Sequence, residues 1–339
     1  MNRDTPGKAL PRVWIVLFVV VLGVALILLL LFMGQTERDQ GPGLAFAEDA
    51  AAATLTVMDG ARPVLTYRYG ENLPAGLDAK QTRSCYIHPL YSLDGEPLTA
   101  DFPADHLHHH GLFWAWPVVE VRGARSSNWE PAEPSLHQHF VRWVGREADQ
   151  QGARLVVANI WRLAENETVL EETISLTVHP ASALARAIDV EIVLRPVGGR
   201  LELRGAPAEN KGYGGLCFRG APLFRGAEMT TDQGRITEDS VGKPFLWADL
   251  STRPGPGPEA PRDGVAVFIH PGHPDRPLAW LARNSYAGVL NPSWPGLAGA
   301  TLAADKAVTL RYRIYVHRGD AEAARVGEAY GAYSAGRRP

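Results

Sequence analysis

The chain has 339 residues and a net charge of −3, with 34 basic side chains against 37 acidic ones, so no basic field exists to hold a nucleic-acid backbone. Its two cysteines, Cys85 and Cys217, fall in no CxxC or other metal-type spacing. An exported location permits a disulfide between them, and their separation leaves the pairing open.

Residues 1–12 read as a cytoplasmic tail. Val13 to Met33 is an uncharged apolar run. It is long enough for a membrane-spanning helix, which needs about 20 residues, and too long for a secretory h-region of about 7–15. Arg3, Lys8 and Arg12 precede it against Asp4 alone, while Glu37, Arg38 and Asp39 follow, which keeps the N-terminus inside. Ala45-Phe46-Ala47 looks like a cleavage site but lies well beyond the run. The expectation is an uncleaved, single-pass anchor in the inner (cytoplasmic) membrane, with the body of the chain outside the cytoplasm. Residues 34–53 form a Gly- and Ala-rich linker, and residues 54–339 form the exported domain.

From Thr54 onward the pattern is β. Thr54–Val57 and Val64–Tyr69 flank Asp59-Gly60, and further strands are predicted at Cys85–Leu90, His137–Val144, Ala153–Arg162 and Thr168–Val178. Others follow at Ala185–Leu194, Val265–His270, Ala279–Arg283 and Ala307–Val316. Alternation with a period of two argues for half-buried strands, and Thr168–Leu194 reads as a central hairpin. Arg253–Pro258 alternates proline and glycine and is a loop, since proline removes the donors a ladder needs. The one soluble helix is predicted at Asp320–Tyr333, with Asp320 as N-cap. The fold class is therefore all-β, a large antiparallel β-sandwich or barrel, preceded by one N-terminal transmembrane helix.

Asp105-His106-Leu107-His108-His109-His110-Gly111 puts four imidazoles and a carboxylate within six residues. Histidine titrates nearest neutrality and is the commonest metal ligand. Entering the following strand in extended form, His106, His108 and His110 would share one face and His109 the other. That face is either a metal site or a polar wall for proton transfer; the plainer reading is a solvated loop whose imidazoles cap backbone groups. His137 and His139, two apart on a strand, are candidate ligands for a divalent metal, completed by one cluster histidine. Otherwise they are a surface pair. Glu171 and Glu172 face opposite ways, so at most one enters a pocket, while Asp189 and Glu191 share a face. Asn210–Leu216 is Gly-rich without phosphate-loop spacing, and its Lys211 either orients an oxygen-rich ligand or decorates a turn. Nine tryptophans suit stacking on sugar faces or core packing, with Trp129 and Trp294, in loops, the better pocket candidates.

The segments Arg83–Tyr91, Asp105–Trp116, Lys211–Leu216, Trp247–Leu250, Gly264–Pro271 and Arg311–Gly319 resemble the bacterial PmoA-like family, often labelled methane oxygenase PmoA. The resemblance runs in order from Leu55 to Tyr333. The family usually reads Asp-His-Pro-His-His-Arg-Gly at the cluster; here Leu107 and His110 replace the proline and the arginine. The label implies no methane chemistry, because a methane monooxygenase subunit is a bundle of several membrane helices. The resemblance implies a supersandwich like that of galactose-mutarotase-like proteins, where a histidine and a carboxylate act on a sugar in an open cleft. On this basis His108 and His109 are the expected acid/base or orienting pair. His88 and His106, further catalytic candidates, complete the polar wall with Lys211; Asp105 and Tyr213 are further substrate-binding candidates, and Trp114 or Trp116 supplies a stacking face. The leading expectation is a membrane-anchored extracytoplasmic protein that binds, and through histidine chemistry modifies, carbohydrate or another small polar substrate. The alternatives are a metal-dependent hydrolase or oxygenase using His137, His139 and cluster histidines, and a non-catalytic glycan-binding module.

Overall fold

The computed structural model describes residues 43–339 apart from 165, 253–261, 286–287 and 338. The predicted tail, the Val13–Met33 span, the start of the linker and the whole of the Arg253–Pro258 loop lie outside the described residues. Among the described residues no helix is long and apolar enough to cross a membrane.

The described chain begins with strands β1 (Leu44–Asp49), β2 (Thr54–Asp59), β3 (Arg62–Arg68), β4 (Tyr86–Leu90), β5 (Leu112–Ala115), β6 (Val118–Val121) and β7 (Ala124–Ser126). Four long strands follow, β8 (Leu136–Asp149), β9 (Gly152–Leu163), β10 (Glu167–Val178) and β11 (Ala185–Pro196). Then come β12 (Leu201–Arg204), β13 (Gly215–Arg219), β14 (Glu228–Thr231), β15 (Gly234–Ile236), β16 (Ser240–Phe245) and β17 (Trp247–Ser251). The last are β18 (Asp263–Ile269), β19 (Leu278–Arg283), β20 (Val289–Ser293), β21 (Ala300–Leu302) and β22 (Val308–Arg318), before helix α1 (Val326–Ser334).

Two antiparallel sheets of nine strands carry the fold, in the orders β1-β2-β3-β4-β5-β13-β20-β19-β16 and β15-β14-β17-β18-β22-β11-β10-β9-β8. A four-stranded sheet, β21-β12-β6-β7, adds to them. The long hairpin is as predicted, Leu170 pairing with Pro196 and Val178 with Ile188. Along β10, Leu170, Ile174 and Leu176 point inward and Thr173, Ser175 and Thr177 outward. The same period of two runs through β11, and the inward residues of both large sheets form one core.

Two boundaries differ from the sequence reading. β1 lies within the predicted linker, because its pairing with β2 seats Leu44 and Phe46 against the core. Asp320 does cap a turn, accepting from the Ala323 N–H at 2.9 Å. Arg325, at φ 54°, then interrupts the helical path, so α1 starts only at Val326. Its Val326, Tyr330 and Tyr333 pack with Trp247 and Phe268 in a cluster of their own. Cys85 and Cys217 are both buried and free, so the described structure holds no bond between them.

Candidate functional site

Strand alternation on the first sheet decides what the site stands on. In β5, Leu112 and Trp114 point into the core, while Phe113 and Ala115 point outward. Tyr86, Cys217 and Val289, from β4, β13 and β20, join them on that outer face, and the histidine loop lies over it. Gly111 launches β5 from that loop at φ 68°, and a Cβ there would lie 2.5 Å from the Ile87 carbonyl oxygen. Only glycine meets both conditions.

The loop is not extended. The His106 N–H donates to the Pro103 carbonyl at 2.9 Å and the His109 N–H to the His106 carbonyl at 3.0 Å, two successive turns. Turns abolish the two-residue alternation, so the expected face of His106, His108 and His110 does not form. His106, His108 and His109 gather instead. The rings of His106 and His109 stack at 4.7 Å, and that of His108 stands edge-on to both, at 5.6 and 4.8 Å. His110 turns inward among Phe102, Tyr86 and Phe113. Its Nδ1 lies 3.1 Å from Asp101, which also accepts from the Tyr86 hydroxyl and the Asn72 amide.

Arg219, at the end of β13 and 1% exposed, is the hub beneath the cluster. Its Nη2 donates to both oxygens of Asp105 at 2.7 and 2.8 Å, and its Nη1 to His109 Nδ1 at 3.2 Å. A guanidinium only donates, so His109 Nδ1 must accept and the proton must sit on Nε2. Burial first, then His108 and Arg219, push the His109 pKa well below its ordinary value. Burial, with His106 and Arg219, lowers that of His108 to about 4. Both are therefore neutral at pH 7. Asp105 is held at about 2, because the bonds from Arg219 and His106 outweigh a desolvation that pushes the other way.

A cleft of about 260 Å³ opens above the cluster. His106, His108 and His109 form one wall, Trp129 and Tyr213 another, and Lys211 and Arg283 lie among the remaining lining. Trp129 and Tyr213 pack at 4.8 Å, and Trp129 stands edge-on to His109 at 5.9 Å. A smaller chamber of about 60 Å³ shares His108, Trp129 and Glu130 with the cleft.

Of the residues singled out in the sequence, the structure brings His106, His108, His109, Lys211 and Tyr213 to one cleft. Asp105 reaches it only through Arg219 and His106. His88 lies apart, its Nδ1 3.0 Å from the Thr99 hydroxyl. Trp114 and Trp116 cannot supply a stacking face: both are fully buried on the inner side, bonded to Glu172 and to the Trp294 carbonyl. Trp294 is likewise in the core, and the aromatic wall comes from Trp129 and Tyr213 instead. His137 borders the small chamber, while His139 lies 4.0 Å from Glu71. Among the described residues no group of three or more His, Cys, Asp or Glu side chains is placed to hold a metal ion. Glu172 enters the interior and no pocket; Trp114, Gln138, Asn159 and Trp161 all donate to it. Arg219 was missed as a site residue, because a lone arginine at a strand end carries no spacing signal.

Residues 54–331 match the model of a family of unknown function, DUF6807, and the chain belongs to that family. This corrects the PmoA-like resemblance: the family model that matches is not a PmoA family. A search of curated proteins finds no match. Among solved structures, a protein assigned as a kojibiose phosphorylase, from the human microbiome, is 9% identical over 88% of this chain, with a TM-score of 0.35. The chain spans only 36% of that protein's length. A galactose mutarotase related enzyme from Lactobacillus acidophilus is 8% identical over 81% of this chain and 97% of its own, also with a TM-score of 0.35. Likeness this distant sets no substrate or reaction.

Proposed function

For this member of a family of unknown function, we propose a carbohydrate-binding protein that acts on a sugar hydroxyl in the cleft by proton transfer at His108. The observation that carries this is the pairing of a neutral, cleft-facing His108 with a His109 whose tautomer Arg219 fixes. With Nδ1 occupied, His109 presents Nε2–H as a hydrogen-bond donor that orients a sugar oxygen. His108, kept neutral by burial, accepts the proton of a neighbouring hydroxyl and returns it. The Tyr213 ring, backed by the buried Trp129, suits a sugar face, and Lys211 and Arg283 suit its oxygens. We also read the two nine-stranded sheets as a supersandwich of the galactose-mutarotase kind. We place the domain outside the cytoplasm, held by Val13–Met33; the support is the charge-free run and the basic residues before it.

The test is sugar binding and turnover by the full-length chain and its His108→Ala and His109→Ala variants. Loss of turnover by about 10²-fold or more in His108→Ala, with weakened binding in His109→Ala, is expected. Unchanged binding and turnover in both would dismiss the assignment. Saturable binding without product in the parent chain would instead make it a glycan-binding module.

A further inference from the structure

Beside the cleft, the small chamber holds a buried positive charge with no carboxylate bonded to it. Arg83 is 9% exposed, and its side chain donates to two carbonyls, those of Asn128 at 2.5 Å and Trp114 at 3.0 Å. Its Nε has no acceptor among the described residues, and neither do Asn128 Nδ2 and Trp129 Nε1. Asn128 and Trp129 are 5% and 3% exposed, and all three residues line the same chamber. The two carboxylates on its wall lie against other side chains, Glu133 against Lys80 at 3.6 Å and Glu130 against His108 at 3.7 Å, and neither bonds Arg83.

A buried guanidinium that no carboxylate touches is costly: Glu172 and Asp101 act on Arg83 only through space, burial outweighs them, and donors without acceptors add to the cost. Water in the chamber would satisfy the donors but not the charge. An anionic oxygen pair would satisfy both. The chamber shares His108 and Trp129 with the cleft, so a group attached to a ring in the cleft reaches it.

We infer that the chamber receives the acidic group of the ligand, so that the substrates are acidic sugars carrying a carboxylate or a phosphate ester. The inference rests on the sugar reading of the neighbouring cleft and narrows it. Arg83 supplies the charge, and small shifts of Asn128 and Trp129 bring their donors to the incoming oxygens. Lys211 and Arg283, across the cleft, are not needed for this role.

The experiment is calorimetric titration of the full-length chain with D-glucuronate and D-galacturonate, the matching neutral hexoses, and the hexose 6-phosphates. Acidic sugars are expected to bind at least about tenfold more tightly than their neutral partners. The stronger of the two acidic sets tells carboxylate from phosphate. Asn128→Asp, nearly the same shape, installs a counter-charge beside Arg83 and is expected to bring the acidic-to-neutral ratio to about one. Arg83→Lys keeps the charge without the fork and is expected to keep a reduced preference. Both variants are checked for an unchanged thermal melt. Equal affinity for acidic and neutral sugars overturns the inference and leaves the sugar reading standing; no binding of any sugar overturns both. A preference that survives Asn128→Asp puts the acidic group elsewhere and also overturns it.

Discussion

Arg219 ties a carboxylate and an imidazole to one strand end, and the consequence is measurable at Asp105. In Arg219→Met the Asp105 pKa, held at about 2, is expected to climb toward its ordinary 3.8, read by NMR titration of the carboxyl carbon. A value still near 2 would mean that Arg219 is not what holds it. At Glu172, fully buried and accepting four side-chain donors, replacement by glutamine leaves one oxygen where two served. A loss of about 2–4 kcal/mol is expected in urea unfolding, and a loss under about 0.5 kcal/mol would contradict the role given to this network. Legibility at this scale was uneven. His108, His109, Lys211 and Tyr213 announced themselves by clustering or by a Gly-rich loop. Arg219 did not, since its role depends on β13 lying beside β5, a pairing that no local pattern records. Trp114 and Trp116 misled for a related reason: alternation fixes that they share a face, but not which face.

The histidine loop illustrates what a strand pattern can and cannot carry. β10 and β11 were readable because twelve-residue strands repeat one alternation many times. Phe102–His110 was not, because its shape comes from turns and from bonds to other strands, as where the Arg219 guanidinium donates to Asp105 at 2.7 Å. Gly111→Ala is expected to cost about 1–3 kcal/mol and to displace the cluster, seen as lost sugar binding. Gly76 also has positive φ, 87°, but nothing lies within 4 Å of its would-be Cβ, so Gly76→Ala should cost only about 1 kcal/mol and spare binding. Equal effects at the two positions would mean that backbone strain alone, and not contact with Ile87, governs the loop. Gly264 is a second such contact point, where a Cβ would lie 2.0 Å from the His317 ring, itself bonded to the buried Asp249.

For the molecule as a whole, the buried histidines set an acid limit. His108 and His273 titrate at about 4 when folded against an ordinary 6.5, and His109 and His110 lie well below that value. As pH falls from 6.5 toward 4, the unfolded chain takes up protons that the folded chain refuses, so stability falls across that window. Below about 4, His108 and His273 protonate in both states and add no further loss. His108→Asn should flatten the slope of stability against pH between 6.5 and 4 by up to about 1.4 kcal/mol per unit, measured by urea unfolding at a series of pH values. An unchanged slope would mean that His108 titrates normally. The broad architecture, all-β with one short α-helix after the last strand among the described residues, was legible because composition and alternation are global properties. The placement of the face that carries the cleft was not, because it depends on which side of the first sheet the loops cover. The most direct measurement is ¹⁵N NMR of the imidazoles during titration of the full-length chain with the sugar panel. Saturable shifts of His108 and His109 together with the Trp129 indole, and none at the buried His317, are the expected result. Sugar binding that moves none of these three signals would contradict the cleft as the site.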